Sequence, residues 1–389
     1  MDGGFHKGMT MTLLPRRALG AWFMRPSFRR PAFGAAALAA ALLLAACGKP
    51  APSGGAAPPP ADKVYTVAWT IYAGWMPWPY ADQAGIVKKW ADKYGVKIKV
   101  VQVNDYVESL NQFSAGKVDA VTSTTMDALT VPAASGHDST VLMIGDYSNG
   151  NDGVILKGSD KLADIKGRPV NLVENSVSHY LLARALESAG LKLPDVKTIN
   201  TSDADIVAAF GASQTTALVT WNPQLSEIKK QPGANEVFDS SKIPGEILDT
   251  LIVDTAELQA NPKLGKALTG IWYETLALMS RDDDQGRAAR AAMAKLSGAD
   301  LPGFESQLKT THLYVDPGAA AAYESDPALV TATDRVRKFS FDHGLFGQAA
   351  RSVDDIGIAF PGGKILGSPT NVKLRFDPTY MALAADGKL

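Results

Sequence analysis

From residue 64 onward the chain alternates short β-branched and apolar runs with helical periodicities, and a glycine closes most of the helices. Residues 64–69 form a first strand-like run. Ile86, Trp90 and Tyr94 then recur at helical spacing until Gly95 stops the pattern. Residues 96–103 read as a strand. Asn104-Asp105 opens a helix with Val107, Leu110 and Phe113 on one face, ended by Gly116. Residues 118–122 are a strand, Ser123-Thr124-Thr125 can cap a helix running to Ala134, and residues 140–144 are a strand. The order repeats with strands at 170–173, 197–200 and 217–220 and helices at 176–189 and 203–210. Such alternation predicts an α/β fold whose mostly parallel sheets are covered on both faces.

The segment Gly145-Asp146-Tyr147-Ser148-Asn149-Gly150-Asn151-Asp152-Gly153 interrupts the alternation and reads as a flexible polar crossing. Residues 250–253 are apolar and strand-like, a candidate return crossing. Helical patterns follow at 264–279, 287–296 and 331–341, and the last 25 or so residues read as an extended tail. Two α/β lobes joined by two crossings are therefore expected. The first holds residues 63–145 and 254–365, the second 146–253, and 366–389 form the tail.

The formal net charge of −1 argues against a nucleic-acid partner, which would call for a basic face. The single cysteine, Cys47, excludes an intramolecular disulfide and a thiolate metal cluster. Its setting is informative. Arg25, Arg29 and Arg30 precede an apolar run, residues 32–46, too short to span a bilayer as a stable helix. The run ends Leu44-Ala45-Ala46-Cys47, which resembles the bacterial lipobox. The resemblance implies a signal peptide over residues 1–46 and a lipid on Cys47, against the plainer reading of a secretory signal with an incidental cysteine. Translation is expected to start at Met24 rather than Met1. Residues 47–62 are rich in Pro, Gly and Ala and read as a tether.

The order of elements and several short motifs resemble the solute-binding proteins of bacterial ABC importers, of the nitrate, sulfonate and taurine type. The likeness covers roughly residues 63–280. It rests on Lys166-Gly167-Arg168-Pro169-Val170, on Ser176-Val177-Ser178-His179-Tyr180 and on Trp221-Asn222-Pro223. The step Ser114-Ala115-Gly116-Lys117-Val118-Asp119-Ala120 belongs with them. A narrower likeness, to the urea-carboxylase-associated subgroup linked with urea and guanidine, rests on Gly74-Trp75-Met76-Pro77-Trp78, Asn104-Asp105-Tyr106, Met126-Asp127-Ala128-Leu129-Thr130 and the 145–153 segment. The resemblance implies a periplasmic-binding-protein type II-like fold with the ligand in the cleft, a periplasmic, lipid-anchored monomer, no cofactor, and a permease with its ATPase as partners. It implies a small nitrogenous solute of the guanidine or urea type. The alternatives are taurine, an alkylsulfonate or another small anion. The thiamine-pyrimidine synthases share the fold, but they depend on active-site cysteine and histidine, and Cys47 lies in the export signal.

Charge in the strand-to-helix loops bears on the ligand. These loops hold Asp105, Glu108, Asp127, Asp146, Asp152, Glu174, Asp203 and Asp205 but no Lys or Arg, with His179 their only other titratable base. A cation would seek carboxylates and aromatic faces. The candidate ligand contacts are Trp75, Trp78, Asp105, Thr125, Asp127, Asp146, Glu174, Ser178 and Trp221. Several have a structural reading as well. Asp105 with Glu108 makes a capping box, and Asp127 in a first helical turn offsets the macrodipole. Asp146 and Asp152 can bond to crossing backbone. Trp75, Trp78 and Trp221 either pack or present a face to the solute, whereas Trp90 and Trp272 lie on periodic helical faces and read as core.

Overall fold

The computed structural model describes residues 62–389; the leader, Cys47 and the tether lie outside the described residues, save Asp62. In chain order the strands are β1 (Val64–Trp69), β2 (Lys97–Gln102), β3 (Ala120–Thr124), β4 (Ser139–Ser148), β5 (Asp152–Lys157), β6 (Pro169–Leu172), β7 (Lys197–Asn200), β8 (Ala217–Trp221), β9 (Ala234–Asp239), β10 (Leu248–Asp254), β11 (Thr311–Leu313), β12 (Gly357–Ala359), β13 (Ile365–Leu366) and β14 (Val372–Phe376). They form two sheets. The first runs β13-β12-β14-β4-β10-β3-β1-β2, with β11 also on β4, and the second runs β7-β6-β8-β5-β9. In each sheet the three leading strands are parallel and one strand from a crossing is inserted antiparallel beside them: β10 between β3 and β4, β5 between β8 and β9. This is the α/β, type II-like arrangement of periplasmic binding proteins, and it sets two sets of strand ends at a common cleft.

The apolar residues sort accordingly. One core, including Val67, Val121, Val141, Ile252 and Trp272, lies around the first sheet. The second sheet has one core with Val170, Leu181 and Val219 and another with Ile155, Phe210 and Leu218.

Three expectations change. The passages between sheets fall at 149–151 and 240–247, because β4 continues to Ser148 and β10 already begins at Leu248. The first passage is not a loose glycine loop. Ser148 Oγ donates to Asp152 Oδ2 (2.5 Å) and lies 2.6 Å from Ser240 Oγ, so the two passages are bonded to each other. Asn151 Nδ2 donates to Thr311 Oγ1 (2.5 Å). Second, the chain end is not a tail. β14 is a parallel partner of β4, its Arg375 pairs with Asp138 and donates to Thr255 Oγ1 (2.6 Å), and helix Thr379–Ala385 follows. Third, the helix Pro327–Asp342 does not belong to one lobe. Leu329 sits in the first core and Val336 in the second.

Candidate functional site

The first sheet brings a row of polar residues to the cleft. Asp249, near the start of β10, lies opposite Thr124 on β3 and opposite Asp146 on β4. Directly opposed residues share a face, so two carboxylates meet side by side in the sheet, an arrangement that is destabilising on its own. From the second sheet, Asp152 at the start of β5 lies opposite Trp221 at the end of β8. Between the rows is a small cavity of ≈ 20 Å³ walled chiefly by Tyr72, Trp75, Tyr106, Trp221, Asp152 and Asp249, with Thr124, Val177 and Ile247 completing it. Its size is close to the room one water-sized sphere occupies.

The aromatic walls touch one another. Tyr72 meets Trp75 edge-on at 5.0 Å, Trp75 lies 5.6 Å from Tyr106, and Tyr106 meets Trp221 edge-on at 5.8 Å. Their hydroxyls are spent on acids: Tyr72 donates to Asp146 Oδ1 and Tyr106 to Asp127 Oδ2, both at 2.8 Å. Thr124 Oγ1 also donates to Asp127 Oδ2 (2.8 Å). Gly74 permits this closeness, since a Cβ there would overlap Asp146 Oδ2 and the Tyr72 ring.

Four carboxylates, Asp127, Asp146, Asp152 and Asp249, are thus buried together. Burial pushes Asp127 up to about 6, against the lowering effect of Tyr106, Thr124 and the nearby Val177 N–H. Burial also lifts Asp146 to about 7, partly offset by the Tyr72 hydrogen bond and by the adjacent Asp249 carboxyl, and aided by the charge of Asp152. Asp152 rises to about 7 through burial and the charge of Asp127, against the Ser148 hydrogen bond. Asp249 is pushed well above the carboxylate range by burial and by the charges of Asp146 and Asp152. No Lys, Arg or His contributes at any of the four. Asp127 Oδ1, Asp146 Oδ2, Ser178 Oγ and Trp75 Nε1 are buried without a hydrogen-bond partner. Among the described residues no group of three or more His, Cys, Asp or Glu is placed to hold a metal ion.

The structure assembles some of the sequence-predicted residues and disperses others. Trp75 and Trp221 line the cavity, Asp146 stands behind Tyr72, and Asp127 stands behind Tyr106. Trp78 does not line it. Met76-Pro77 starts a helix, Pro77–Gln83, and Trp78 turns back onto Trp272 at 5.6 Å, 1% exposed. Trp78→Ala is therefore expected to cost about 3–5 kcal/mol of stability, read by denaturant unfolding, as for large core truncations. Asp105 is a cap: its Oδ1 accepts from the Glu108 N–H at 2.8 Å. Thr125 is the buried first residue of helix Thr125–Ala128, whose cap is Thr124. Glu174 accepts from Thr198 Oγ1 (2.5 Å) and lines an outer cavity instead. Ser178 is buried in the first turn of helix Val177–Ser188 and lines neither cavity. Tyr72, Tyr106, Asp152 and Asp249 join the site without having been selected. An acid set between Leu248 and the strand-like run 250–253 was the available signal for Asp249.

The fold is that of the periplasmic binding proteins. The periplasmic aliphatic sulphonate binding protein SsuA of Escherichia coli superposes with a TM-score of 0.61 at 19% identity, covering 74% of this chain and 94% of that one. Residues 84–271 match the family described as NMT1/THI5 like. An Escherichia coli protein described as an aliphatic sulfonates-binding protein is 32% identical over 154 residues, 38% of this chain and 45% of its own. A Brucella abortus protein described as a binding protein is 28% identical over 151 residues, 38% of this chain and 47% of its own. The chain thus spans about half the length of the curated relatives it matches.

Proposed function

We propose that this chain is the solute-binding component of an ABC importer. In this reading it is exported and held at the membrane through a lipid on Cys47, and it closes its lobes on a small planar, nitrogen-rich solute, guanidinium or urea in type. It then presents the solute to a permease and its ATPase, and it binds without catalysing. The observation that carries the reading is the set of four buried carboxylates around an aromatic-walled cavity, none compensated by a base. Buried charge is stable only when paired. A guanidinium ion supplies that pairing in its plane and offers its faces to Trp75 and Trp221. Its donors also match the carboxylates better than a point cation would, since no metal-like convergence is found among the described residues. Urea has the same shape, and its carbonyl can accept from Trp75 Nε1–H.

A sulfonate or another small anion is the second reading. The names of the matched relatives favour it, as does the unpartnered donor on Trp75. Against it, the helix start at Val177, which would ordinarily meet an anion, faces the carboxyl of Asp127.

A thermal-shift panel separates the two. Guanidinium or urea at low millimolar concentration is expected to raise the melting temperature; a ligand at a hundred times its Kd adds about 2.7 kcal/mol. Taurine, nitrate and ethanesulfonate should leave it unchanged. Stabilisation by taurine alone would replace the first reading with the second. The bound solute should be recovered intact.

A further inference from the structure

Two cavities among the described residues share Tyr106 as a wall. The inner one measures ≈ 20 Å³, the outer ≈ 320 Å³. The outer cavity is lined in part by Val107, Leu110 and Leu345, which are apolar, and by Asp127 and Glu174, which are acidic. Asp127 is 1% exposed and its Oδ1 has no partner.

Tyr106 is fixed from both sides of the cleft. Its hydroxyl donates to Asp127 Oδ2 (2.8 Å) and accepts from the Thr124 N–H (3.0 Å). Its own N–H donates to Asp203 Oδ1 (3.3 Å), from the loop after β7 of the other sheet. Its ring is held between Trp75 and Trp221. Swinging the side chain aside would break the hydroxyl bonds and both ring contacts, and a buried acid would lose a donor.

We propose that Tyr106 is the partition that sets the size limit of the site, excluding substituents on a small cationic head group that the outer cavity would otherwise accommodate. This rests on the functional reading above and extends it to specificity. The bare head group is held at the inner cavity, whose aromatic walls part to admit it, since ≈ 20 Å³ is room for about one water. An alkyl substituent has to pass through the plane of the Tyr106 ring. With the ring removed the two cavities join, and the outer one offers apolar wall to the tail and carboxylates near the head.

The test is calorimetric titration with guanidinium, methylguanidinium and butylguanidinium. For the wild type, affinity is expected to fall about tenfold at the methyl group and further at butyl, the scale of overfilling a fitted pocket. Tyr106→Leu, checked for a cooperative melt, is expected to bind butylguanidinium at least about tenfold more tightly than the wild type does while losing affinity for guanidinium. Tyr106→Phe keeps the ring and should keep the size limit, though with weaker binding. Wild-type affinities for guanidinium and butylguanidinium within about threefold of each other would overturn the proposal. So would an unchanged ratio in Tyr106→Leu, or a ratio relaxed by Tyr106→Phe, which would assign the limit to the hydroxyl instead of the ring. If Tyr106→Leu does not fold, the wild-type series and Tyr106→Phe still decide. Failure of guanidinium and urea alike to bind the wild type would instead refute the functional reading, and the partition with it.

Discussion

Asp249→Asn is expected to raise the melting temperature of the solute-free protein at pH 8 while weakening guanidinium binding about a hundredfold or more. Asp249 lies opposite Asp146 within the sheet, both are buried, and no base compensates them. At pH 8 an unfolded carboxyl is ionised. The folded protein must therefore either hold Asp249 charged beside Asp146 or take up a proton to neutralise it. Either course costs stability, about 1.4 kcal/mol for each pH unit above the ordinary carboxyl value until the raised value is reached. Asparagine has nearly the same shape, carries no charge and can donate to Asp146. The stabilisation should be largest at pH 8 and much smaller near pH 4, where Asp249 is protonated in the folded protein and about half protonated in the unfolded chain. Loss of affinity follows because the cation loses a buried anionic partner. Melting curves at pH 4 and pH 8, with calorimetry at pH 8, check both halves. A variant that binds guanidinium like the wild type would remove Asp249 from the site.

The solute-free protein is expected to lose stability as pH rises from 5 to 8, and saturating guanidinium to flatten that slope. Asp127 is pushed up to about 6 and Asp146 and Asp152 to about 7, with Asp249 higher still. A carboxyl raised on folding makes the native state bind more protons than the unfolded state. Its stabilising protonation is complete below the unfolded value, near 4, and is lost as pH climbs through the folded values of about 6 to 7. Asp203, lifted to about 6, and the fully buried Glu324 act in the same direction. Of the titratable groups, Asp152, Asp249, Tyr72 and Tyr106 line the cavity, Asp146 and Asp127 stand behind the two tyrosines, and the tyrosine hydroxyls are raised and stay protonated. The combined loss should reach several kcal/mol, read as a fall in denaturant midpoint across the range. A flat or rising profile without ligand would mean that the four acids are compensated by something else.

Much of this architecture was legible because period and punctuation agree in the α/β stretches. The capping pair at Asp105 and Glu108 and the strands around residues 64–69, 97–102 and 217–221 need only local information. Trp75, Trp221, Asp127 and Asp146 were reachable because they follow or end strands at the cleft. Asp249 was not, since its role comes from pairing with Asp146 across a hundred-residue excursion through the second sheet. Trp78 was misplaced because an aromatic stretch with two prolines reads as a loop, although proline at a helix's first position is a start signal. The glycine-rich passage looked mobile by composition. Its single serine, Ser148, and Asn151 are instead bonded to Asp152, Ser240 and Thr311, partners that lie close in chain only in the first case. β14 escaped notice because what orders it is β4, more than two hundred residues earlier.

Calorimetric titration of guanidinium at pH 6.5 in two buffers of different ionisation enthalpy, repeated at pH 8, bears most directly on whether the buried acids receive a cation. Displacing protons from Asp127, Asp146 and Asp152 should release a measurable fraction of a proton per solute at pH 6.5, and the affinity should tighten toward pH 8. Taurine or nitrate binding more tightly than guanidinium, with proton uptake and an affinity that falls toward pH 8, would contradict the proposal and make the cleft an anion site.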